Sequence, residues 1–224
     1  MDYYPWRYRA CENNPINITD PLGDEWADPK KDQKVADQIV KGVDKANARL
    51  EKQNAKLDSK IEKATTKGNT DKVNTLTTQK NNNTQSIAIN NKTKDHLTYM
   101  ASKGDNVPKF TFENVSGNVG GTEIRGDKIV MGVTSSLGNK VHEVSHGFDK
   151  SPIGKHDGEE GGEVRAYQAQ YSADSGSMPS SSAPGAVSNV NGVTGAYVGG
   201  IMDPTTGKPL YPTTNTKYKS IYPK

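Results

Sequence analysis

Two histidines four positions apart, with a glutamate directly after the first, occupy residues 142–146 as His-Glu-Val-Ser-His. On a helix, His142 and His146 project from the same face, one turn apart, and can share one Zn²⁺. Glu143 is rotated by about 100° from His142. Its carboxylate therefore stands beside the ion rather than on it, placed to take a proton from an activated water. Zinc lowers the pKa of such a water and polarises a substrate carbonyl, so the pattern serves hydrolysis with Glu143 as general base. Val141, Val144 and Phe148 give the same segment an apolar side for a core, and neither variable position of the motif carries a charge. An ordinary amphipathic helix is the competing reading.

A catalytic zinc takes three protein ligands and keeps a fourth position open. The sequence downstream is Gly158-Glu-Glu-Gly-Gly-Glu-Val-Arg-Ala-Tyr-Gln-Ala-Gln170, with Glu163 at the start of an expected second helix, 17 residues after His146. This arrangement resembles the glutamate zincins, in which a carboxylate from a following helix completes the metal site. The resemblance implies a zincin-like metallopeptidase with His142, His146 and Glu163 as zinc ligands. Glu160, one turn earlier on the same face, and His156, in the connecting loop, are the other candidates for the third ligand. The metzincin continuation is absent, because Asp149 and Pro152 stand where it needs glycine and histidine. Tyr167 occupies the position at which thermolysin-like enzymes carry an acidic residue, which argues against close kinship with them. Tyr167 has two readings, a catalytic donor to the scissile carbonyl or a half-buried packing residue. Arg165 is read either as a surface ion-pair partner or as a group for a substrate carboxylate.

The elements that must hold these groups are legible from periodicity. Residues 135–149 form a helix starting at Ser135 or Ser136, and a second helix follows the Gly-rich loop. Between 105 and 134 the period changes to that of strands. Lys109–Val115 alternates, and Thr122–Val133 gives two short strands around Gly126-Asp127. Zincin sites lie below the edge of a small sheet onto which an extended peptide is added, and Lys128–Val133 has two readings, that edge or an interior strand. Residues 29–104 carry apolar residues at Val35, Ile39, Val43, Ala46, Leu50, Leu57, Ile61 and Ala64, spaced as one helix face. Gly68 marks a stop, Thr70 or Asp71 the next N-cap, and Val73, Leu76, Ile87, Leu97 and Met100 continue a sparser stripe with frayed ends. The expectation is an α+β chain: a junction at 1–28, a long helical hairpin at 29–104, a zincin-like domain at 105–174, and an irregular extension at 175–224 wrapping it.

Composition narrows the function classes. The 224 residues are only 31% hydrophobic, with a mean hydropathy of -0.84, which suits a small core with solvated flanks. A net charge of +3 from 29 basic and 26 acidic residues, without a basic stripe interleaved with aromatics, argues against nucleic acid as a partner. The single cysteine, Cys11, makes neither an intrachain disulfide nor a thiolate zinc site. No apolar run approaches the roughly 18–20 residues of a membrane span, so no stable membrane anchor is expected. The first ten residues lack a signal-peptide core, so export by a route other than a classical signal is expected.

The N-terminal segment Tyr8-Arg-Ala-Cys-Glu-Asn-Asn-Pro-Ile-Asn-Ile-Thr-Asp-Pro-Leu-Gly-Asp-Glu-Trp26 is similar to the end of an Rhs or YD-repeat core. Asn13, Asn14, Pro15, Ile16, Asn17, Asp20, Pro21 and Gly23 match that junction. In that family the junction is often self-cleaved and precedes a variable toxin domain paired with a cognate immunity protein. The resemblance therefore implies an effector carried by an Rhs core and secretion machinery into a target cell. With the zinc motif, the reading is a toxin metallopeptidase acting on protein or peptide substrates. Hydrolysis of peptidoglycan cross-links, or a pore-forming helical hairpin with structural zinc, are the alternatives.

Overall fold

A computed structural model describes residues 26–102, 108–116, 120–155, 158–183, 187–203 and 206–211. The expected junction residues 13–23 and His156 lie outside the described residues. The architecture is α+β: helices α1 (Pro29–Thr66) and α2 (Thr70–Ala101), strands β1 (Lys109–Asn114), β2 (Gly121–Arg125) and β3 (Lys128–Val133), then α3 (Leu137–Asp149), α4 (Glu159–Asp174) and α5 (Gly195–Gly199).

Helix α1 starts where the sequence supplies a cap and a rigid first turn. Asp28 accepts from the Lys31 amide at 3.1 Å, and Pro29 follows it. Asp32, fully buried, then ties this end to the sheet by accepting from the Phe112 amide at 2.9 Å and the Thr111 hydroxyl at 3.2 Å. The helix ends at Lys67, and Gly68 takes φ +66 to turn the chain. Asn69, rather than Thr70 or Asp71, caps α2 by accepting from the Lys72 amide at 3.0 Å; an amide oxygen satisfies the same orphan donor. Helix α2 is continuous to Ala101, without the frayed ends expected from its thin apolar stripe. Polar residues fill that stripe: Ser86, Asn90 and Thr93 are buried beside Leu76, Leu97 and Met100. Asn90 donates to the Asn47 side chain at 2.8 Å and to the Ser172 carbonyl at 3.1 Å, joining α1, α2 and α4.

The sheet order is β1-β3-β2, with β1 parallel and β2 antiparallel to β3. Of its two readings, Lys128–Val133 is therefore the interior strand and not the edge. Its physical reason is burial on both faces: every residue after Lys128 is buried, as a continuous apolar run in an interior strand requires. The Trp26 bridge to Phe110 covers the outer side of β1. Among the described residues, β2 is the strand with a free edge.

One core joins the base of the hairpin to the sheet and to α3 and α4, through Ile39, Val43, Leu97, Met100, Phe110, Phe112, Met131, Val141 and Val144 among others. On its margin the His96 ring lies parallel to Phe148, with 3.7 Å between centroids. Burial, then the positive charges of Lys92 and Arg165, lower the His96 pKa to about 4. The unfolded chain protonates near the ordinary 6.5 while the folded ring stays neutral, so stability falls as pH drops from about 6.5 to about 4. By linkage the loss is on the order of 2–3 kcal/mol at pH ~4.5. Urea unfolding at neutral pH and at pH ~4.5 should show His96→Phe spared this increment relative to the unsubstituted chain. Equal losses in both proteins would show that His96 does not carry it.

Candidate metal centre

Helix α3 presents the histidine pair. Ser136 caps it by accepting from the Asn139 amide at 3.4 Å, and Val141 and Val144, both fully buried, fix its rotation against the core. His142 and His146 then share one face, as a four-residue step on a helix dictates. Helix α4 lies against α3 and supplies Glu163. Arg165 is paired with Asp149 at 2.7 Å, which ties the start of α4 to the end of α3. Of its two readings, Arg165 is seen in the ion pair.

The Nε2 atoms of His142 and His146 are 3.0 Å apart. The two oxygens of Glu163 lie 3.4 Å from His142 Nε2 and 3.3 Å from His146 Nε2. Ligands held about 2.0–2.1 Å from a tetrahedral zinc are separated by about 3.3–3.4 Å; each imidazole meets one carboxylate oxygen at that spacing, and the imidazole pair is slightly closer at 3.0 Å. One ligand atom from each of the three residues lies within 4.8 Å of the others. The donor set, two imidazoles and a carboxylate, suits Zn²⁺. Glu163 Oε2, which faces His142 Nε2 at 3.4 Å, is buried without a well-formed hydrogen bond. Burial raises the Glu163 pKa, but hydrogen bonds from His142 and His146 outweigh it and hold the carboxyl down at about 2. The ligand is thus already in its ionised, metal-binding form. The residues present fit zinc.

Glu143 sits beside the triad and is almost wholly buried. Its Oε2 accepts from the Thr122 hydroxyl of β2 at 2.8 Å. Its Oε1 lies 3.5 Å from Asn139 Nδ2. Burial pushes its pKa above the ordinary carboxylate value, with His142 and the Thr122 hydrogen bond opposing the rise and the Glu163 charge adding to it. Gly120, just before β2, makes room for this carboxylate. A Cβ there would collide with the Gly132 carbonyl oxygen and stand 2.6 Å from Glu143 Oε1 and 2.7 Å from Asn139 Nδ2. The carbonyl is backbone and cannot yield, so Gly120→Ala must shift β2 or Glu143. A loss of about 1–3 kcal/mol in stability is expected, and denaturant unfolding measures it. If Glu143 is the base, any hydrolysis should fall by tenfold or more even where the variant remains folded.

The other candidate ligand, Glu160, faces elsewhere: its carboxylate abuts Gly195 at the start of α5, because the chain after α4 folds back over that part of the helix. Tyr167 packs edge-on against His142, with ring centroids 4.4 Å apart, and is buried. Its hydroxyl is 3.0 Å from that of Tyr211. Burial comes first among the causes that push both phenols well above the ordinary tyrosine value, and the Glu163 charge adds to each.

Thr122 and Asn139, on Glu143, and Tyr211, on Tyr167, are site residues that sequence reasoning missed. Tyr211 comes from the C-terminal extension, whose described residues carry more regular structure than their composition suggests. That segment contains α5 and forms a second apolar cluster of Tyr167, Val193, Tyr197, Val198 and Ile201, with Tyr211 packed against it. The only local hint was the recurrence of tyrosine and valine in an otherwise Gly-, Ser- and Asn-rich tail. Compared with known proteins, the chain matches no family model, and no curated protein or solved structure is significantly similar to it.

Proposed function

We propose that this chain is a zinc-dependent metallopeptidase that serves as the toxin part of a delivered effector. The observation that carries the enzymatic half is the triangle of His142, His146 and Glu163, near zinc-ligand spacing, beside the buried carboxylate of Glu143. The effector half rests on the resemblance of residues 13–23 to an Rhs junction. A zincin-like arrangement of the domain is supported by the order of its parts: an antiparallel strand with a free edge, a helix bearing both histidines, and a following helix bearing the glutamate.

When bound, zinc would polarise the carbonyl of the scissile bond and make water nucleophilic near neutral pH. The rest falls to the chain. The two imidazoles and Glu163 would hold the ion. Glu143 takes the water proton, with Oε2 anchored by Thr122, and returns it to the departing amine. Its raised pKa matches a base that must later act as an acid. The free edge of β2, bonded to Glu143 through Thr122, is where an extended peptide would be added as a further strand. Tyr167, the hydroxyl-bearing ring packed on His142, is the residue to donate a hydrogen bond to the carbonyl oxygen.

The test is direct. The zinc-loaded chain should create new N-termini in an unfolded protein substrate, detected by mass spectrometry, and none should form after Glu143→Gln. Cleavage of peptidoglycan cross-links alone would move the substrate class. Toxicity in cells that survives Glu143→Gln undiminished would replace the enzyme with a pore-forming or binding toxin.

A further inference from the structure

Helix α1 sorts its charges by face. Lys45, Arg49, Lys52, Lys56, Lys60 and Lys63 follow one another at steps of three or four residues. At about 100° per residue they share a sector of roughly 80°, and all six are exposed. The row runs for about 27 Å along the helix. No acidic residue stands three or four positions from any of the six, where a helix would place an ion-pair partner. The helix does not lack carboxylates. Asp44, Glu51, Asp58 and Glu62 fall on a second face, about 130° away. Helix α2 reaches two of them, Lys94 pairing with Asp44 at 3.0 Å and Lys80 with Asp58 at 2.5 Å. Asn54 marks the side turned to α2, bonding Asn83 at 2.9 Å and Thr84 at 3.4 Å. Lys56, two residues on, lies about 160° round the helix from it. Among the described residues none of the six is in an ion pair.

Like charges at this spacing cost a helix stability, and a merely solvated face alternates its signs. A row that excludes every carboxylate is arranged for an external polyanion. We propose that this row docks the hairpin lengthwise on a bilayer surface bearing anionic phospholipid headgroups. A flat surface meets a straight row along its whole length. Five of the six are lysines, hydrated point charges without the fork by which arginine fixes a single phosphate, which suits a fluid array of headgroups. The row has no aromatic ring on which a nucleic-acid base could stack. Protein interfaces favour aromatic residues, methionine and arginine, and are depleted in lysine. The docking is peripheral, since no described helix is long and apolar enough to cross a membrane.

None of the six belongs to the metal triad, so the test runs on the full chain with or without zinc and stands apart from the zinc reading. Vesicles of phosphatidylcholine mixed with phosphatidylserine should carry the protein down on sedimentation, and vesicles of phosphatidylcholine alone should not. Added salt should release it. Each cation close to an anionic leaflet strengthens binding by about fivefold. The triple variant Lys52→Gln, Lys56→Gln, Lys60→Gln should therefore bind about 100-fold more weakly. Its thermal midpoint should be no lower than that of the unsubstituted chain, because like-charge repulsion is relieved. The triple variant Lys109→Gln, Lys128→Gln, Lys208→Gln removes the same charge from exposed positions outside α1 and should change binding by no more than a few-fold. Equal losses in the two variants would reduce the row to net charge and overturn the proposal, as would failure of the unsubstituted chain to sediment with the anionic vesicles. Tighter binding to duplex DNA or to polyglutamate at the same salt, lost in the α1 variant, would assign the row to a nucleic acid or an acidic protein and overturn the lipid assignment.

Discussion

Glu143→Gln should lower peptide-bond hydrolysis by about 10²–10⁴-fold, the usual contribution of a positioned general base, while the bound zinc stays unchanged. The substitution is close to isosteric. Its amide oxygen can still accept the Thr122 hydroxyl bond that anchors Oε2 at 2.8 Å, while its NH2 replaces the acceptor that Asn139 Nδ2 faces at 3.5 Å. What disappears is the ability to take a proton. Burial without charge is easier than burial with it, which offsets the loss of that long contact, so the thermal midpoint should stay close to that of the parent. A variant with undiminished turnover would remove Glu143 from the chemistry. A variant that lost its metal would show the residue to be structural.

Glu163→Ala should cost most of the metal affinity and leave Glu160→Ala as its silent control. A four-ligand zinc site contributes about 10–16 kcal/mol, so one of its protein ligands carries roughly 3 kcal/mol, or about a hundredfold in Kd or more. The carboxylate faces both imidazoles at 3.3–3.4 Å, whereas that of Glu160 is turned against Gly195. Titration with a chelating indicator separates the two variants. Equal losses from both would mean that acidic charge at the start of α4, rather than ligation, attracts the ion.

The parts of this picture that were legible in the sequence are those fixed by a short-range period. The histidine pair, the apolar face of α1 and the turn at Gly68 follow from helical spacing and backbone sterics within a few residues. Glu163 came from resemblance rather than geometry, and its place opposite the histidines depends on how α4 packs on α3. Asn90 illustrates why α2 read as thinly supplied with core residues. An asparagine counts as polar in any pattern, yet here it is buried because Asn47 and the Ser172 carbonyl meet its amide. The place of β3 stayed open between edge and interior, since a hairpin does not reveal which of its arms receives the parallel partner; burial on both faces of Ile129–Val133 decides it. Tyr211 was beyond reach, being 44 residues from the tyrosine it bonds, across a segment whose composition resembles a linker. Gly120 does not stand out in the sequence, because its closeness to Glu143 is a tertiary fact.

The central claim is that His142, His146 and Glu163 hold one zinc ion, and elemental analysis of the purified chain after dialysis against metal-free buffer tests it most directly. About one zinc per chain is expected from a complete tetrahedral centre, with the content falling sharply in His146→Ala and Glu163→Ala. A chain that stays essentially metal-free in the presence of added zinc, or that binds it equally well without these side chains, would contradict the account.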